Sequence, residues 1–399
     1  MSLINKIKKL AHDYSPDVIE WRRHLHQHPE LSFEEVQTSL FVQEKLSEFG
    51  IPYRSGIAKT GILGSIQGVN PDKYVVALRA DMDALPICEA EGNAFRSQNH
   101  GVMHACGHDA HTAALLGAAR ILNSLKDQFE GTILLIFQPG EESSPGGARL
   151  MLEDGLFADL KPDVVVGAHV LPSMPTGHVG FREGFYMASG DEVYLTVKGQ
   201  GGHGGMPHLL TDNVLVAANI LVSLQQIVSR VVPATVPAVL SFGRFIANGA
   251  TNIIPEKVEL AGTLRTLDET WRGKVKEKIV EMASHIAIGM GASCEAEVMD
   301  GYPAVYNHVE LTRDAKQLAI DFLGQEQVEE MDIRMTAEDF GFYSKQYPSV
   351  FYRFGVMQPD GSTGNLHTPV FNLNEQALET ASGVMAQLAV GLLAGARRY

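Results

Sequence analysis

The stretch "YVVALRADMDALP", Tyr74 to Pro86, decides the fold. Tyr74 to Leu78 is unbroken apolar sequence, which is how a strand buried on both faces reads. Where the run ends, Arg79, Asp81 and Asp83 follow at once. The runs "TGILGSI" (60–66), "GTILLIFQP" (131–139) and "DVVVGAHV" (163–170) are built alike, with helical patterns between several of them. That alternation predicts an α/β layered sheet. In open α/β sheets the ligand crevice lies beyond the carboxyl ends of the strands, so the residues after each run matter most.

Outward from the sheet, "SPDVIEWRRHLHQHPE" (15–30) and "SFEEVQTSLFVQEKLSEFG" (32–50) read as helices, and Ser32 and Glu35 have the spacing of a capping box. After about Gly184 the texture changes. "DEVYLTVKG", "VPAVLSFGRF" and "KVELAGTLRT" alternate like strands with one wet face, and helices are expected near Asp212–Arg230 and Asp268–Gly289. The reading is a small α+β domain, residues 185–300, inserted into a larger one made of 1–184 and 301–399. Beyond Tyr302 come a helix, the strand "SVFYRFG", a Gly/Ser/His-rich loop and a C-terminal helix from Asn374.

Composition narrows the function classes. A net charge of −15 argues against nucleic-acid partners and anionic membranes, which call for clustered Lys and Arg. No apolar run reaches a spanning length of about 20 residues; the best is Met385 to Ala396. The start "MSLINKIKKLAHDY" shows no signal-type apolar region, and Cys88, Cys106 and Cys294 are too few and scattered for a disulfide framework. The expectation is a soluble, cytoplasmic, reduced protein.

The strand ends and two further segments carry the chemistry. "MHACGHDAHTAALLGAARIL" (103–122) crowds three histidines, a cysteine and an aspartate against a helix start, "FQPGEES" (137–143) sets two glutamates after a buried strand, and His169 and His367 lie in "GAHVLP" and "GNLHTPVF". Cys106, His108, Glu142, His169 and His367 form a donor set suited to zinc or a similar transition metal. Five donors exceed what one catalytic zinc takes, so two ions about 3.5–4 Å apart fit better. Zinc comes first, with manganese, cobalt or nickel as alternatives. The next residue, Asp109, is a candidate cap for the helix, whereas His104, His111 and His208 read as structural.

In order, "RADMDALP", "HACGHDAH", "FQPGEE", "GAHV", "GGHGGMPH", "ATNIIPEKVELAGTLR", "AEDF" and "LHTP" resemble the dizinc metallopeptidase and aminoacylase family, above all its amidohydrolase branch of hippurate hydrolases, N-acyl-amino-acid amidohydrolases and auxin-conjugate hydrolases. The resemblance implies a zinc-peptidase-like α/β catalytic domain carrying a ferredoxin-like lid and dimerisation domain. It gives Cys106 the bridging position, makes His108, Glu142, His169 and His367 terminal ligands, and makes Glu141 the general base with Asp83 behind the ligands. His203 would reach into the partner subunit's site, and Asn252 and Arg265 would hold substrate; Glu338, at a helix start, reads as pocket lining. Many relatives carry a ligand histidine where this chain has Asp81, and His108 is the expected compensation. The implied reaction is hydrolysis of an N-acyl or N-aroyl amino acid by a homodimer joined through the inserted domain; a dipeptidase or carboxypeptidase and a non-catalytic metal-binding scaffold are the alternatives.

Overall fold

The computed structural model describes residues 1–395 and Tyr399. They form two compact units, Met1–Gly184 with Tyr306–Asp332 and Phe342–Tyr399, and Phe185–Val305 with Ile333–Gly341.

The first unit is built on an eight-stranded mixed sheet. Its strands in chain order are β1 (Tyr53–Ile57), β2 (Gly61–Gln67), β3 (Val75–Asp81), β4 (Thr132–Gln138), β5 (Val164–Pro175), β6 (Val179–Phe181), β7 (Val328–Glu330) and β8 (Ser349–Met357). Their spatial order is β1-β2-β4-β3-β5-β8-β6-β7. The central strands β4, β3, β5 and β8 run parallel, so their carboxyl ends share one edge. All residues of β3 and β4 are buried, as their unbroken apolar runs require. Helices α1 (Leu3–Gln27), α2 (His108–Ser124) and α3 (Ala377–Gly395) pack on one another, and α2 and α3 also lie against β3. The alanines of α2 at 113, 114, 118 and 119 are fully buried, which lets its neighbours come close on all sides.

Four local readings change. Helix α1 begins at Leu3 and passes through Pro16 instead of starting near it. The helix Val36–Glu48 has no side-chain cap, because Ser32 and Glu35 bond to other segments. Asp109 does not cap α2 either; Arg22 and His26 hold its carboxylate, and Gly107 occupies the cap position. Finally, Asn213–Val231 and Ala377–Gly395 are each long and apolar enough to cross a membrane by length and composition. The second of these is mostly buried as α3, the behaviour of a core helix; it contains the run from Met385, whose last residue, Ala396, lies outside the described residues.

The second unit has a four-stranded antiparallel sheet in the spatial order Ala238–Ala247, Lys257–Thr266, Gly190–Lys198, Ser293–Tyr302. Helices Asn213–Gln226 and Glu269–Gly289 complete a strand-helix-strand-strand-helix-strand chain order, the split βαβ arrangement of ferredoxin-like folds. Asp212 and Asp268 cap these helices through the Leu215 and Trp271 amides. The burial of Gly190–Lys198 alternates as its sequence does, and Val193, Leu195, Ile220, Leu260 and Ile279 belong to a core of this unit's own. Residues 333–341, which a boundary at 300 leaves with the larger domain, return to this unit because the Ala188 amide bonds to the carbonyls of Arg334 and Thr336.

Candidate metal centre

The site lies in the first unit, at the carboxyl edge of its parallel strands. Strand β3 ends at Asp81 and leads to Asp83, β4 leads into the Pro139–Gly140 turn and Glu141–Glu142, and β5 carries His169. Gly107, between Cys106 and the first residue of α2, has φ +84°, and a Cβ there would meet Val170 Cγ2 at 2.8 Å. Only glycine turns the chain this way so close to β5. The His367 loop arrives from far along the chain. His367 has φ +60° and its amide bonds to the Ala105 carbonyl at 2.9 Å. A non-glycine residue in this conformation costs about 1–3 kcal/mol, strain that concentrates at functional sites.

The donors form overlapping trios. Cys106, His108 and His169 each offer one ligand atom within 4.8 Å of the others, as do Cys106, Glu142 and His367, and also His108, Glu141 and Glu142. Cys106 thus belongs to two trios. Its Sγ lies 3.4 Å from His169 Nε2, and His367 Nε2 lies 3.1 Å from Glu142 Oε1.

Both buried histidines present Nε2 inward because Nδ1 is engaged. His169 Nδ1 donates to the Val170 carbonyl at 2.8 Å. His108 Nδ1 is 3.1 Å from Asp83 Oδ1, the carboxylate–histidine arrangement that orients metal ligands. The other Asp83 oxygen accepts from the Ser32 hydroxyl at 2.7 Å and from the Glu142 amide at 2.9 Å. His108 Nε2 is buried and has no hydrogen-bond partner among the described residues. Such an atom, facing sulfur and carboxylate oxygen, suits a divalent cation, and the mixed S, N and O donors match the ligand types of zinc.

Electrostatics agree with that fit. Burial opposes charge on His108, but Asp81, Asp83 and Glu142 raise its pKa to about 10. Burial, then Glu142 and Glu141, pushes the Cys106 thiol well above its ordinary range. Burial also holds His169 well below the usual histidine value, leaving a neutral ring. Asp81 is drawn off elsewhere: Arg79 Nη1 lies 2.6 Å from one oxygen and His111 Nδ1 2.6 Å from the other. His111 Nε2 in turn accepts the Val170 amide at 2.9 Å, so this histidine fastens α2 to β5.

The remaining candidates lie in the second unit. His203 is exposed, pairs with Ile253, and accepts the Gly205 amide on Nδ1 at 3.0 Å. Asn252 sits beside it, its carbonyl accepting the Gly204 amide at 2.9 Å. Arg265 bonds to the Leu264 carbonyl at 3.1 Å and to the Thr263 hydroxyl. Glu338 is buried and accepts the Phe340 amide at 3.1 Å. A Cβ on Gly190 would meet Ala337 Cβ at 2.7 Å and the Arg265 guanidinium at 3.6 Å, so both segments pack closely over this glycine. His208 is exposed, and His104 is buried with neither ring nitrogen hydrogen-bonded among the described residues. Sequence reasoning missed Ser32 and Glu35 as supports of the site; their only signal was a spacing that also suits a helix cap.

Fold and site place the chain among metal-binding α/β hydrolases. The profile of peptidase family M20/M25/M40 matches residues 77–390, and the chain belongs to that family as an amidohydrolase. It is 45% identical to the N-acyl-L-amino acid amidohydrolase of Geobacillus stearothermophilus, over 76% of this chain and 82% of that one. It is 36% identical to thermostable carboxypeptidase 2 of Saccharolobus solfataricus, over 98% and 99%. The crystal structure of the Bacillus subtilis YXEP protein, a dinuclear metal-binding peptidase of the M20 family, superposes with TM-score 0.83 at 36% identity, over 96% and 99%.

Proposed function

We propose that this chain hydrolyses the amide bond of N-acyl or N-aroyl amino acids, releasing a carboxylic acid and a free amino acid. The carrying observation is the membership of Cys106 in two donor trios directly beside the Glu141–Glu142 pair. In this reading Cys106, His108, Glu142, His169 and His367 would hold two divalent ions, zinc first, with Cys106 shared between the two donor groups. When bound, the ions supply Lewis acidity to a water and to the scissile carbonyl. Glu141 takes the proton of the attacking water and passes it to the departing amine nitrogen as the C–N bond breaks. Asp83 fixes the His108 ring. His203 of the partner subunit donates to the developing oxyanion, while Asn252 and Arg265 hold the substrate carboxylate. Glu338 lines the pocket.

The second unit would serve as lid and dimer contact. An exposed unpaired cysteine, Cys88, suits a reducing, cytoplasmic setting. The likeness to a carboxypeptidase favours one second reading, cleavage between two amino acids. Bound-metal analysis beside assays of hippurate, N-acetyl amino acids, indole-acyl amino acids and dipeptides tests both. A higher kcat/KM for acylated amino acids than for dipeptides of matching size is expected, and the C-terminal amide of the same acylated compound should be a poor substrate. Faster dipeptide cleavage would favour the second reading.

A further inference from the structure

We propose that Glu35, in the loop between α1 and the next helix, is a positioning residue that clamps the Pro139–Gly140 turn and so aims the Glu141–Glu142 pair. The proposal rests on the reading of Glu141 as general base and of Glu142 as ligand.

Glu35 is fully buried at a helix start, yet its side chain caps nothing in that helix. One carboxylate oxygen accepts the Phe33 amide at 2.9 Å and the Gly140 amide at 2.8 Å; the other accepts the Thr60 hydroxyl at 2.7 Å. A buried carboxylate is costly unless its hydrogen bonds are met, and these three come from three separate segments. Gly140 directly precedes the glutamate pair and has φ +61°. A Cβ on Gly140 would lie 2.4 Å from the Phe33 ring, so the turn is pressed by that ring while its amide is tied to Glu35. Phe33 itself sits at φ +64°.

The same loop reaches the end of β3. The Ala84 amide bonds to the Glu30 carbonyl at 2.8 Å, and Ser32 donates to Asp83, which accepts the Glu142 amide. Residues 30–35 therefore hold the ends of β3 and β4, the strands that lead to Asp83 and to the Glu141–Glu142 pair. A displacement of about 1 Å at a catalytic group can cost roughly 100-fold in rate, which is the scale on which such a clamp acts.

Two variants separate reach from charge. Glu35→Gln keeps the reach and the acceptor oxygen but lacks the charge; Glu35→Asp keeps the charge but is one methylene too short to span Gly140 and Thr60. In metal-loaded protein, Glu35→Asp is expected to speed hydrogen exchange in residues 139–143. It is also expected to lower kcat on N-benzoylglycine roughly 10- to 100-fold with KM little changed. Glu35→Gln should stay close to wild type in both. Wild-type behaviour of Glu35→Asp, or equal impairment of both variants, overturns the proposal. So does a loss of thermal stability with unchanged exchange and unchanged kcat of the folded fraction, since that is a merely structural role. If wild type leaves N-benzoylglycine intact, the functional reading fails, while the exchange comparison still decides the clamp.

Discussion

Glu141 and Glu142 are the same residue type one position apart, and their surroundings set them different tasks. Glu142 shares a trio with Cys106 and His367, and its amide is tied to Asp83. Glu141 belongs only to the trio with His108 and Glu142 within the first unit, which suits the base of the proposed reaction better than a ligand shared between trios. Glu141→Ala should therefore fold and keep metal while losing at least about 10²–10⁴ in turnover, the worth of general-base catalysis. Glu142→Ala should lose metal. Near-normal turnover in Glu141→Ala, measured beside metal content, would remove it as the base. The same residues set a pH dependence. Without metal, Cys106 stays a thiol because burial raises its pKa, and His108 carries a proton because its carboxylate neighbours raise its pKa to about 10. Both must give up a proton to ligate. Binding should then release protons at neutral pH, and affinity should rise with pH. Calorimetry of zinc binding in buffers of different ionisation enthalpy measures this; proton-neutral binding would exclude both residues as ligands.

At the scale of elements, the site depends on how α1 and α2 are joined. The buried Asp109 of α2 accepts from Arg22 at 2.7 Å and contacts His26 at 2.8 Å. Asp109→Asn leaves the buried Arg22 guanidinium with only its longer carboxylate contact, to Glu375 Oε1 at 3.4 Å, and should cost about 3–5 kcal/mol of stability. Arg23→Ala removes a neighbouring pair with Glu375, but Arg23 is half exposed, and the loss should stay below about 1 kcal/mol. Urea unfolding of both variants checks the contrast; equal losses would mean that burial does not govern this junction. These elements also show what could be read from sequence. The sheet was legible because each buried run is long, apolar and ended by charge or glycine, and the candidate donors gather because those runs are parallel neighbours. Ser32, Glu35 and Asp109 were misread for a common reason. Each has a cap-like local spacing, but a partner distant in the chain, Asp83, Gly140 or Arg22, takes its side chain. Return of residues 333–341 to the second unit was invisible because backbone hydrogen bonds to Ala188 leave no side-chain signature.

For the whole molecule, the second unit displays what a dimer needs. Strand Ala238–Ala247 is an edge strand, paired only with Lys257–Thr266 in its sheet, and Phe245 on it is 40% exposed. On the adjoining helix, Val222 is 69% exposed and Leu215 53%. A ten-residue edge strand with apolar neighbours is a template for pairing, and natural proteins cover such edges. Self-pairing about a two-fold axis would close the edge with one surface used twice. Sedimentation should accordingly find a dimer for wild type and a monomer for the double variant Val222→Glu, Phe245→Lys. If His203 works in the partner subunit's site, that monomer should also lose turnover while keeping its metal, because every donor lies in the first unit. The decisive case is complementation. His203→Ala and Glu141→Ala homodimers should each be nearly inactive, one lacking the donor and the other the base. Unfolded together and reassembled, half the dimers are mixed, and each mixed dimer has one site with both residues intact. About a quarter of wild-type activity should return. Mixed dimers that form and stay inactive would place His203 outside the shared site, and with it the reason for a dimer in catalysis.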